Sequence, residues 1–552
     1  MTEDRKHTIF SKIYMPIVLA LVLVLGFYLG LNLRTTGSGK QDGGIFSIGI
    51  DRYNKLNDVI NYIYDSYVDS VSREHLTEES IRNLLNNLDP HSSYIPASAF
   101  RRMNDPLMGS FEGIGIEFNM IKDTVVVIHP IAGGPSERAG LMPGDRIVKV
   151  GDSLIAGVNM STADVVDMLM GEKGTVVHVS IFRSGVPDLI DFALTRDKIP
   201  TYSMDIAYMV DDNIGYIKLN KFSATTHQEF SEGLEKLMAA GLTGLILDLR
   251  GNGGGFLDAA IQVADELLEP GKLIVYTDGR RRSRTYARAR RDGLFETQPL
   301  VVLIDEWSAS ASEIIAGAVQ DNDRGLVVGR RSFGKGLVQE QVQLGDGSAM
   351  RLTVARYYTP TGRSIQKPYE EGEDAYFSEF VQRYHNGEML HPDSIKFDEN
   401  MRFETPAGRI VYGGGGIMPD VFVAIPGGPN AAFFNLVFNR GHIYSFAFDY
   451  ADRNRQALEL FKDARQFMES FFIDPETYQQ FLAYVSKQGT SIPERIDSET
   501  ESRIKANLKA YIGRNIIGAD AFFPVIHDED AAFLKAAELL RTGDDPLLSQ
   551  MR

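Results

Sequence analysis

Two short aliphatic runs, separated by patterns typical of helices, limit the fold more than any other feature of this sequence. The runs 245–249 and 300–304 are aliphatic apart from Asp248, as expected for strands that are buried on both faces of a sheet. Further elements alternate with them along the chain: strands at 215–219 and 325–328, and helices at 225–240, 257–268 and 312–321. This alternation predicts an α/β layer fold for this part of the chain.

Two segments rich in small residues follow the two aliphatic runs. Arg250-Gly-Asn-Gly-Gly-Gly255 comes after the first run, and Ser308-Ala-Ser-Ala-Ser-Glu313 comes after the second. Ligands of such folds bind beyond the carboxyl ends of the strands, so both segments are candidates for a functional site. A serine at the turn from strand to helix would have free backbone N–H groups beside its hydroxyl. Alternatively, Ser312 and Glu313 could simply cap the helix.

The region 109–196 has a different pattern, with short β-type runs and one amphipathic helix at 161–170. Four motifs resemble those of a PDZ domain: Gly113-Ile-Gly-Ile116, Ser136-Glu-Arg-Ala-Gly-Leu141, Pro143-Gly-Asp-Arg-Ile147 and Gly171-Glu-Lys-Gly-Thr175. The resemblance implies that one loop binds a C-terminal carboxylate through its backbone N–H groups, while the peptide adds as a strand beside the helix. The residues of that loop are Gly113, Ile114, Gly115 and Ile116.

The chain as a whole resembles the C-terminal processing (tail-specific) peptidases. The segments that carry the resemblance occur in family order, from about residue 50 to residue 427: 248–255, 308–320, 329–336 with Gln339, 357–365 and 416–421. The resemblance implies a serine endopeptidase of Ser/Lys type with a ClpP/crotonase-like α/β core. By motif, it implies that Ser310 is the nucleophile, Lys335 the general base and Gln339 the third member of a triad.

The chemistry of these residue types agrees with the roles that the resemblance implies. A serine hydroxyl needs a base, and no Gly-x-Ser-x-Gly motif indicates a histidine triad. A buried lysine can act as that base, because burial lowers its pKa and leaves a neutral amine. The oxyanion of the tetrahedral intermediate needs two donors. The candidates are the N–H of Ala311 and that of Gly254 or its neighbour Gly253.

Composition and motif searches argue against other chemistries. The chain has no cysteine, which excludes disulfides and thiolate sites, and its ten histidines include no His-Glu-x-x-His pair, so no metal or cofactor is expected. A net charge of −17 disfavours nucleic-acid binding. The stretch Ser332-Phe-Gly-Lys335 matches the Ser-x-x-Lys pattern of penicillin-recognising enzymes, but the accompanying Lys-Thr-Gly is missing. The glycines at 251–255 lack the rest of a phosphate-binding motif.

An uncharged run near the N-terminus predicts a membrane anchor. Residues 13–33 carry no charge, and a helix of that length would be roughly 31 Å long, the thickness of a bilayer's hydrocarbon core. The run is longer than the apolar part of a cleavable signal, and no clear cleavage site follows it. Arg5, Lys6 and Lys12 precede the run, which favours a cytosolic N-terminus. The expected location is therefore the inner membrane, single-pass, with most of the chain on the periplasmic side.

These observations predict a multidomain α/β protein with helical flanking regions. The expected divisions are a cytosolic segment (1–12), an anchor (13–33), a linker and helical region (34–104), the PDZ domain (105–197), the protease core (198–427) and a C-terminal helical region (428–552). Protein or peptide substrates with free C-termini are the expected partners, and a homo-oligomer is possible. The alternative function is a catalytically silent PDZ scaffold that binds envelope proteins.

Two local patterns remain open to more than one interpretation. Seven arginines between Arg280 and Arg291 favour a solvated hairpin, although they could also attract an acidic substrate. From Leu337 to Leu344 the residues alternate, which predicts a strand. A hydrogen bond between Lys335 and Gln339 instead requires residues 334–339 to form about one helical turn. We expect the coiled form in the active state, and an extended form could serve as a resting state.

Overall fold

The computed structural model describes residues 54–551, which divide after Glu79 into two compact units. The helix Lys55–Ser66 belongs to the first unit, and the helix Arg73–Asn86 begins in it. Both helices fall within the linker and helical region expected at 34–104. The predicted cytosolic segment 1–12 and the predicted anchor at 13–33 lie outside the described residues. Among the residues that are described, no helix is both long and apolar enough to cross a bilayer.

A β-rich module follows from Ser110 to Pro200. Five strands form one antiparallel sheet, in the spatial order Ile116–Met120, Val125–Pro130, Arg146–Val150, Val176–Phe182 and Ile190–Thr195, and Ser153–Leu154 adds to the middle one. Two more strands, Ser110–Gly113 and Asp197–Pro200, pair with each other. The predicted helix 161–170 is observed as Thr162–Leu169. The Ser161 side chain caps it by accepting a hydrogen bond from Asp164 N, and the helix buries Val165 and Leu169.

The central sheet of the α/β region has six strands. Its order is Met204–Met209, Ile214–Leu219, Gly244–Asp248, Leu300–Ile304, Leu326–Gly329 and Val421–Phe422, and all neighbours are parallel except the first pair. On one face, residues such as Leu245, Leu247 and Val302 pack against the helices Thr226–Ala239, Leu257–Asp265 and Ala311–Asp321. The prediction of an α/β layer fold is confirmed.

The other face of this sheet is covered by the C-terminal end of the chain. Ile246, Val301 and Val328 point to this face and pack with Phe533, Ala536 and Leu540 of the helix Ala531–Thr542. The strands are thus apolar on both faces because each face has its own cover.

A second sheet lies beside the first and carries the segment that follows Lys335. Its long strand Ala349–Tyr358 pairs with Leu337–Gln343 along one edge, and with Ser93–Ile95 and Leu273–Asp278 along the other. The strand Thr285–Arg288 completes it as a hairpin with Leu273–Asp278. Several of the clustered arginines form ion pairs within the chain, including Arg284 with Asp278 and Arg282 with Glu340. The hairpin interpretation of this arginine-rich stretch is confirmed.

The remaining elements are mostly helical. Between the strand Ala349–Tyr358 and the strand Val421–Phe422 lie the helix Glu373–His385 and the small hairpin Arg402–Glu404 with Ile410–Tyr412. After residue 430 come the helices Ala431–Asn439, His442–Arg453, Arg455–Leu458, Ala464–Ser470, Pro475–Lys487, Ser498–Ile516, Ala519–His527, Ala531–Thr542 and Pro546–Gln550. Most of them share a separate apolar core. Phe448 of this region packs on Val126 and Ile128 of the β-rich module.

Candidate active site

Ser310 lies where the strand Leu300–Ile304 has turned into the helix Ala311–Asp321. Its backbone φ is +56°, a left-handed value that is uncommon for a residue other than glycine and costs about 1–3 kcal/mol. The serines on either side are used for structure: Ser308 Oγ donates to the carbonyl of Leu249, and Ser312 Oγ donates to that of Asn252. Both are buried, whereas Ser310 is partly exposed. The middle serine is therefore the one whose hydroxyl a substrate can reach.

The glycine turn 250–255 lies directly against Ser310. A Cβ atom added to Gly254 would stand 2.8 Å from Ser310 Cβ and 3.0 Å from the backbone nitrogen of Ala311, so only glycine allows this approach. The N–H of Gly254 already donates to Asn252 Oδ1 (2.9 Å). In the described part of the chain, no hydrogen bond uses the N–H of Gly253 or that of Ala311. Of the predicted oxyanion donors, these two are the ones that remain available.

Glu313 connects Ser310 to Lys335. Its Oε2 atom accepts hydrogen bonds from the backbone N–H of Ser310 (2.8 Å) and from that of Lys335 (2.9 Å). Its Oε1 atom accepts from Gly334 N (2.7 Å) and from Ser332 Oγ (2.5 Å). Because one oxygen atom binds both backbone N–H groups, residues 310 and 335 are held side by side although 25 positions separate them.

Tyr357 holds the same two residues from another side. Its hydroxyl donates to the carbonyl of Lys335 (2.5 Å) and lies 3.1 Å from the carbonyl of Ser310. The side chain is 1% exposed, and burial raises its pKa well above the usual value. The hydroxyl therefore stays protonated and acts as a fixed donor at neutral pH.

The electrostatic surroundings favour a neutral amine on Lys335. Burial and the nearby Arg351 guanidinium lower the pKa of Lys335 to about 8, although the carboxylates of Glu313 and Asp89 act in the opposite direction. Burial raises the pKa of Glu313 to about 7, and its four hydrogen bonds oppose that rise. A lysine with a pKa of about 8 can accept a proton at mildly alkaline pH.

Gln339 is part of a strand in this structure. The strand begins at Leu337, two residues earlier than Gln339, and residues 334–339 form no helical turn here. The coiled form expected in the active state stays a prediction. The Gln339 side chain donates to Thr353 Oγ1 (3.4 Å) on the neighbouring strand. Across the described chain, no hydrogen bond joins the Lys335 amine to Ser310 or to Gln339. The structure has the extended form of this segment.

Several groups beside Lys335 were not anticipated as site residues from the sequence. Asp89 accepts from Ser92 Oγ (2.6 Å) and from Thr353 Oγ1 (3.1 Å), the same hydroxyl that Gln339 contacts. Burial and the Lys335 charge lower the pKa of His91 to about 3. Nothing local in the sequence links Asp89 or His91 to residue 335.

The peptide groove of the β-rich module is apolar. A cavity of about 200 Å³ lies between the strand Ile116–Met120 and the helix Thr162–Leu169. Its lining includes the predicted loop residues Gly113, Ile114, Gly115 and Ile116, together with Phe118, Val166, Leu169 and Met170. Arg102 also lines the cavity, and its Nη1 atom lies 2.8 Å from both carboxylate oxygens of Asp167 on that helix. The groove thus combines an apolar floor with a charged rim.

A metal centre is not indicated by the described residues, among which no cluster of three or more histidine, aspartate or glutamate side chains is arranged to hold an ion. The groups that the structure brings together at this site are a strained serine, a lysine whose pKa is lowered and two backbone N–H groups without a hydrogen bond among the described residues. A fold and site of this kind define a serine-type peptidase.

Comparison with known proteins agrees with that class. The peptidase family S41 matches residues 213–371, a PDZ domain matches 126–183, and a family of unknown function matches 433–518. A carboxy-terminal-processing protease of Bartonella bacilliformis is 39% identical over 317 residues, which is 56% of this chain and 72% of that protein. The carboxy-terminal processing protease CtpA of Bacillus subtilis is 32% identical over 357 residues, 64% of this chain and 75% of that protein.

Solved structures include a similar protein. A photosystem II D1 C-terminal processing protease is 30% identical, with 68% of this chain and 87% of that chain covered at a TM-score of 0.35. With the Bartonella relative matched over most of its length, the chain belongs to the C-terminal processing peptidases of family S41. It is a serine-type peptidase with a PDZ domain.

Proposed function

We propose that the chain cleaves proteins near their C-termini, with Ser310 as the nucleophile and Lys335 as its general base. The observation that carries this assignment is the shared Glu313 oxygen, which binds the backbones of both residues at 2.8 and 2.9 Å. A nucleophile and a base from distant parts of the chain are thereby fixed beside each other before substrate binds.

The proposed reaction has two halves. The neutral Lys335 amine takes the proton of Ser310 as its Oγ attacks the scissile carbonyl, and the N–H groups of Ala311 and Gly253 stabilise the oxyanion. Lys335 then gives the proton to the leaving amine, so the C–N bond breaks and an acyl-enzyme remains. Water hydrolyses the acyl-enzyme with Lys335 again as base. Gly254 serves mainly to let the turn approach Ser310, since its own N–H is bound to Asn252.

Gln339 acts in this proposal as the residue that orients the Lys335 amine during turnover. In the extended form its side chain contacts Thr353 instead. Reaching Lys335 would require the segment 334–339 to leave the extended form, and binding of a peptide is the event we propose for that change.

The PDZ groove supplies the selection of substrate. A free carboxylate would bind the backbone N–H groups of the loop Gly113–Ile116, and an apolar last residue would fill the cavity lined by Phe118, Val166 and Leu169. For location, we propose that residues 13–33 anchor the chain in the inner membrane, which would leave the peptidase on the periplasmic side facing envelope proteins.

The test is a proteolysis assay on the full-length chain in detergent, with an unfolded protein that ends in apolar residues as substrate. Ser310→Ala and Lys335→Ala should each abolish cleavage, whereas Ser378→Ala and Lys236→Ala, on exposed helix surfaces, should not. Full activity of either of the first two variants would refute the assigned roles. A parent protein that binds the substrate tail without cleaving it would instead support the scaffold alternative.

A further inference from the structure

A buried group of charges lies directly behind the glycine turn that faces Ser310. Arg250, the first residue of the turn, is held between two carboxylates. Its guanidinium lies 2.6 Å from Asp248 and 2.7 Å from Asp530. A second contact to Asp530, from Nη1, measures 2.9 Å. Asp530 comes from the C-terminal region, 280 residues further along the chain, so this region reaches the back of the candidate active site.

The backbone of Arg250 is held by hydrogen bonds, as its side chain is. Its N–H donates to Asp248 Oδ1 (2.8 Å), and its carbonyl accepts a hydrogen bond from the Lys218 ammonium. The next residue, Gly251, donates to Asp305 Oδ1 (2.9 Å). The path of the turn, and with it the direction of the Gly253 N–H, thus depends on where Arg250 is held.

Asp530 is itself held independently of Arg250. It is the N-cap of the helix Ala531–Thr542, where its Oδ1 accepts from the N–H groups of Ala532 and Phe533 (both 3.1 Å). That helix packs on the central sheet through Phe533, Ala536 and Leu540. The position of the Asp530 carboxylate is therefore fixed by the packing of its helix on the sheet. The carboxylate can in turn hold the Arg250 guanidinium in one position.

The ion pairs of this group are shielded from solvent. Asp248 and Asp530 face the Arg250 guanidinium and Asp248 also faces the Lys218 ammonium, with Arg250 18% and Lys218 14% exposed. Burial alone would raise the pKa of Asp530, but Arg250 holds it below the usual value. Loss of the Asp530 charge would leave the buried guanidinium with one directly paired carboxylate instead of two.

We propose that Asp530 is a positioning residue for the oxyanion turn, so that the C-terminal region belongs to the catalytic unit. The inference rests on the proposed function of Ser310 and of the Gly253 N–H. Asp530 lies outside the residues matched by the peptidase family, 213–371, and outside those matched by the family of unknown function, 433–518.

The test is Asp530→Asn in the full-length chain. Asparagine caps helices as well as aspartate does, so the helix start is preserved. With the asparagine oxygen on the helix N–H groups, that oxygen can still accept from Arg250 Nη1, but the NH2 group replaces the Oδ2 atom and faces Arg250 Nη2. The 2.7 Å ion pair is therefore replaced by two donors that face each other, and Arg250 is held less firmly. We expect kcat to fall by about 10- to 100-fold, with KM changed less than threefold, because oxyanion donors act mainly in the transition state.

Val485→Ala is the control for loss of stability. Val485 is buried on the helix Pro475–Lys487, in a different apolar core from the helix Ala531–Thr542. This variant should lower the melting temperature at least as much as Asp530→Asn while kcat stays within about twofold of the parent at 25 °C. A fluorophosphonate that labels Ser310 gives a second readout: its labelling rate should fall for Asp530→Asn and not for Val485→Ala.

Two results would overturn the proposal. One is a folded Asp530→Asn protein whose kcat and labelling rate lie within twofold of the parent. The other is a loss of activity that follows the folded fraction equally in both variants, since the role of Asp530 would then be structural only. A wrong assignment of Ser310 would be seen in a different comparison. Cleavage or labelling would then be the same in the parent and in Ser310→Ala.

Discussion

Replacing Glu313 with glutamine tests the coupling of Ser310 to Lys335 with almost no change of shape. Each carboxylate oxygen accepts two hydrogen bonds: Oε2 from the backbones of Ser310 and Lys335, and Oε1 from Gly334 and Ser332. A glutamine side chain offers one oxygen and one NH2 group. Whichever way the amide turns, its NH2 group must therefore face at least one backbone N–H.

The effect on stability is the difference of two opposing contributions. Burial raises the pKa of Glu313 from 4.5 to about 7, so keeping it ionised above pH 7 costs about 3 kcal/mol. Because the folded-state pKa is the higher one, this contribution to stability falls as the pH rises from about 4.5 to about 7. Glutamine removes that cost. The less damaging orientation leaves the Gly334 N–H unpaired, which costs about 1–3 kcal/mol. We expect the free energy of unfolding at pH 8 to change by less than about 2 kcal/mol.

The effect on catalysis should be much larger. Weakening two charge-assisted hydrogen bonds loosens the backbone at both Ser310 and Lys335, and a misplacement of about 1 Å can cost about 100-fold in rate. We expect kcat at its alkaline plateau to fall about 100-fold. The Glu313 charge also raises the pKa of Lys335, so its removal should move the pH profile to lower pH.

Urea unfolding monitored by circular dichroism, together with kcat measured between pH 6 and pH 10, gives both quantities from one protein preparation. Gln228→Glu, on an exposed helix surface, is a control for a carboxamide–carboxylate exchange of the same size. A plateau kcat within threefold of the parent, in a folded Glu313→Gln protein, would refute the idea that this carboxylate couples the two residues.

Two further predictions concern the base and the groove. For the parent, kcat/KM should rise with pH through about 8 as Lys335 loses its proton. Asp89→Asn should move this midpoint to lower pH, because the Asp89 carboxylate raises the pKa of Lys335. An unchanged midpoint in Asp89→Asn would contradict this. For the groove, amidation of a peptide's C-terminus should weaken its binding at least tenfold, as measured by fluorescence anisotropy, because the loop Gly113–Ile116 would have no carboxylate to bind. Equal binding of the acid and the amide would mean that the groove has another role.

The sequence predicted those parts of the site that depend on local segments. The turn before Ser310, the glycine turn and the order of strands and helices all follow from short runs of residues, and the structure agrees with them. Glu313 was noticed only as a possible helix cap. Its second role depends on the N–H groups of Gly334 and Lys335, whose segment reaches Glu313 only after the chain has folded.

For residues 334–339 the local pattern and the functional requirement point to different conformations. The alternation from Leu337 to Leu344 predicted a strand, and the strand Leu337–Gln343 is observed. The helical turn was expected only because a triad needs Gln339 close to Lys335. The strand pairs with Ala349–Tyr358 over most of its length, so the proposed coiled form requires that pairing to open at Leu337 and Val338.

The aliphatic strands also contain information about the tail that the sequence alone does not make explicit. A strand that is apolar on both faces needs a cover on each side, and the helices at Thr226–Ala239, Leu257–Asp265 and Ala311–Asp321 all pack on the same face. A second layer must therefore come from elsewhere in the chain. The helix Ala531–Thr542 supplies it, and its first turn brings Asp530 to Arg250. Because the helix that completes the core also presents this carboxylate, we expect removal of the C-terminal end to expose the sheet and to release the turn at Arg250.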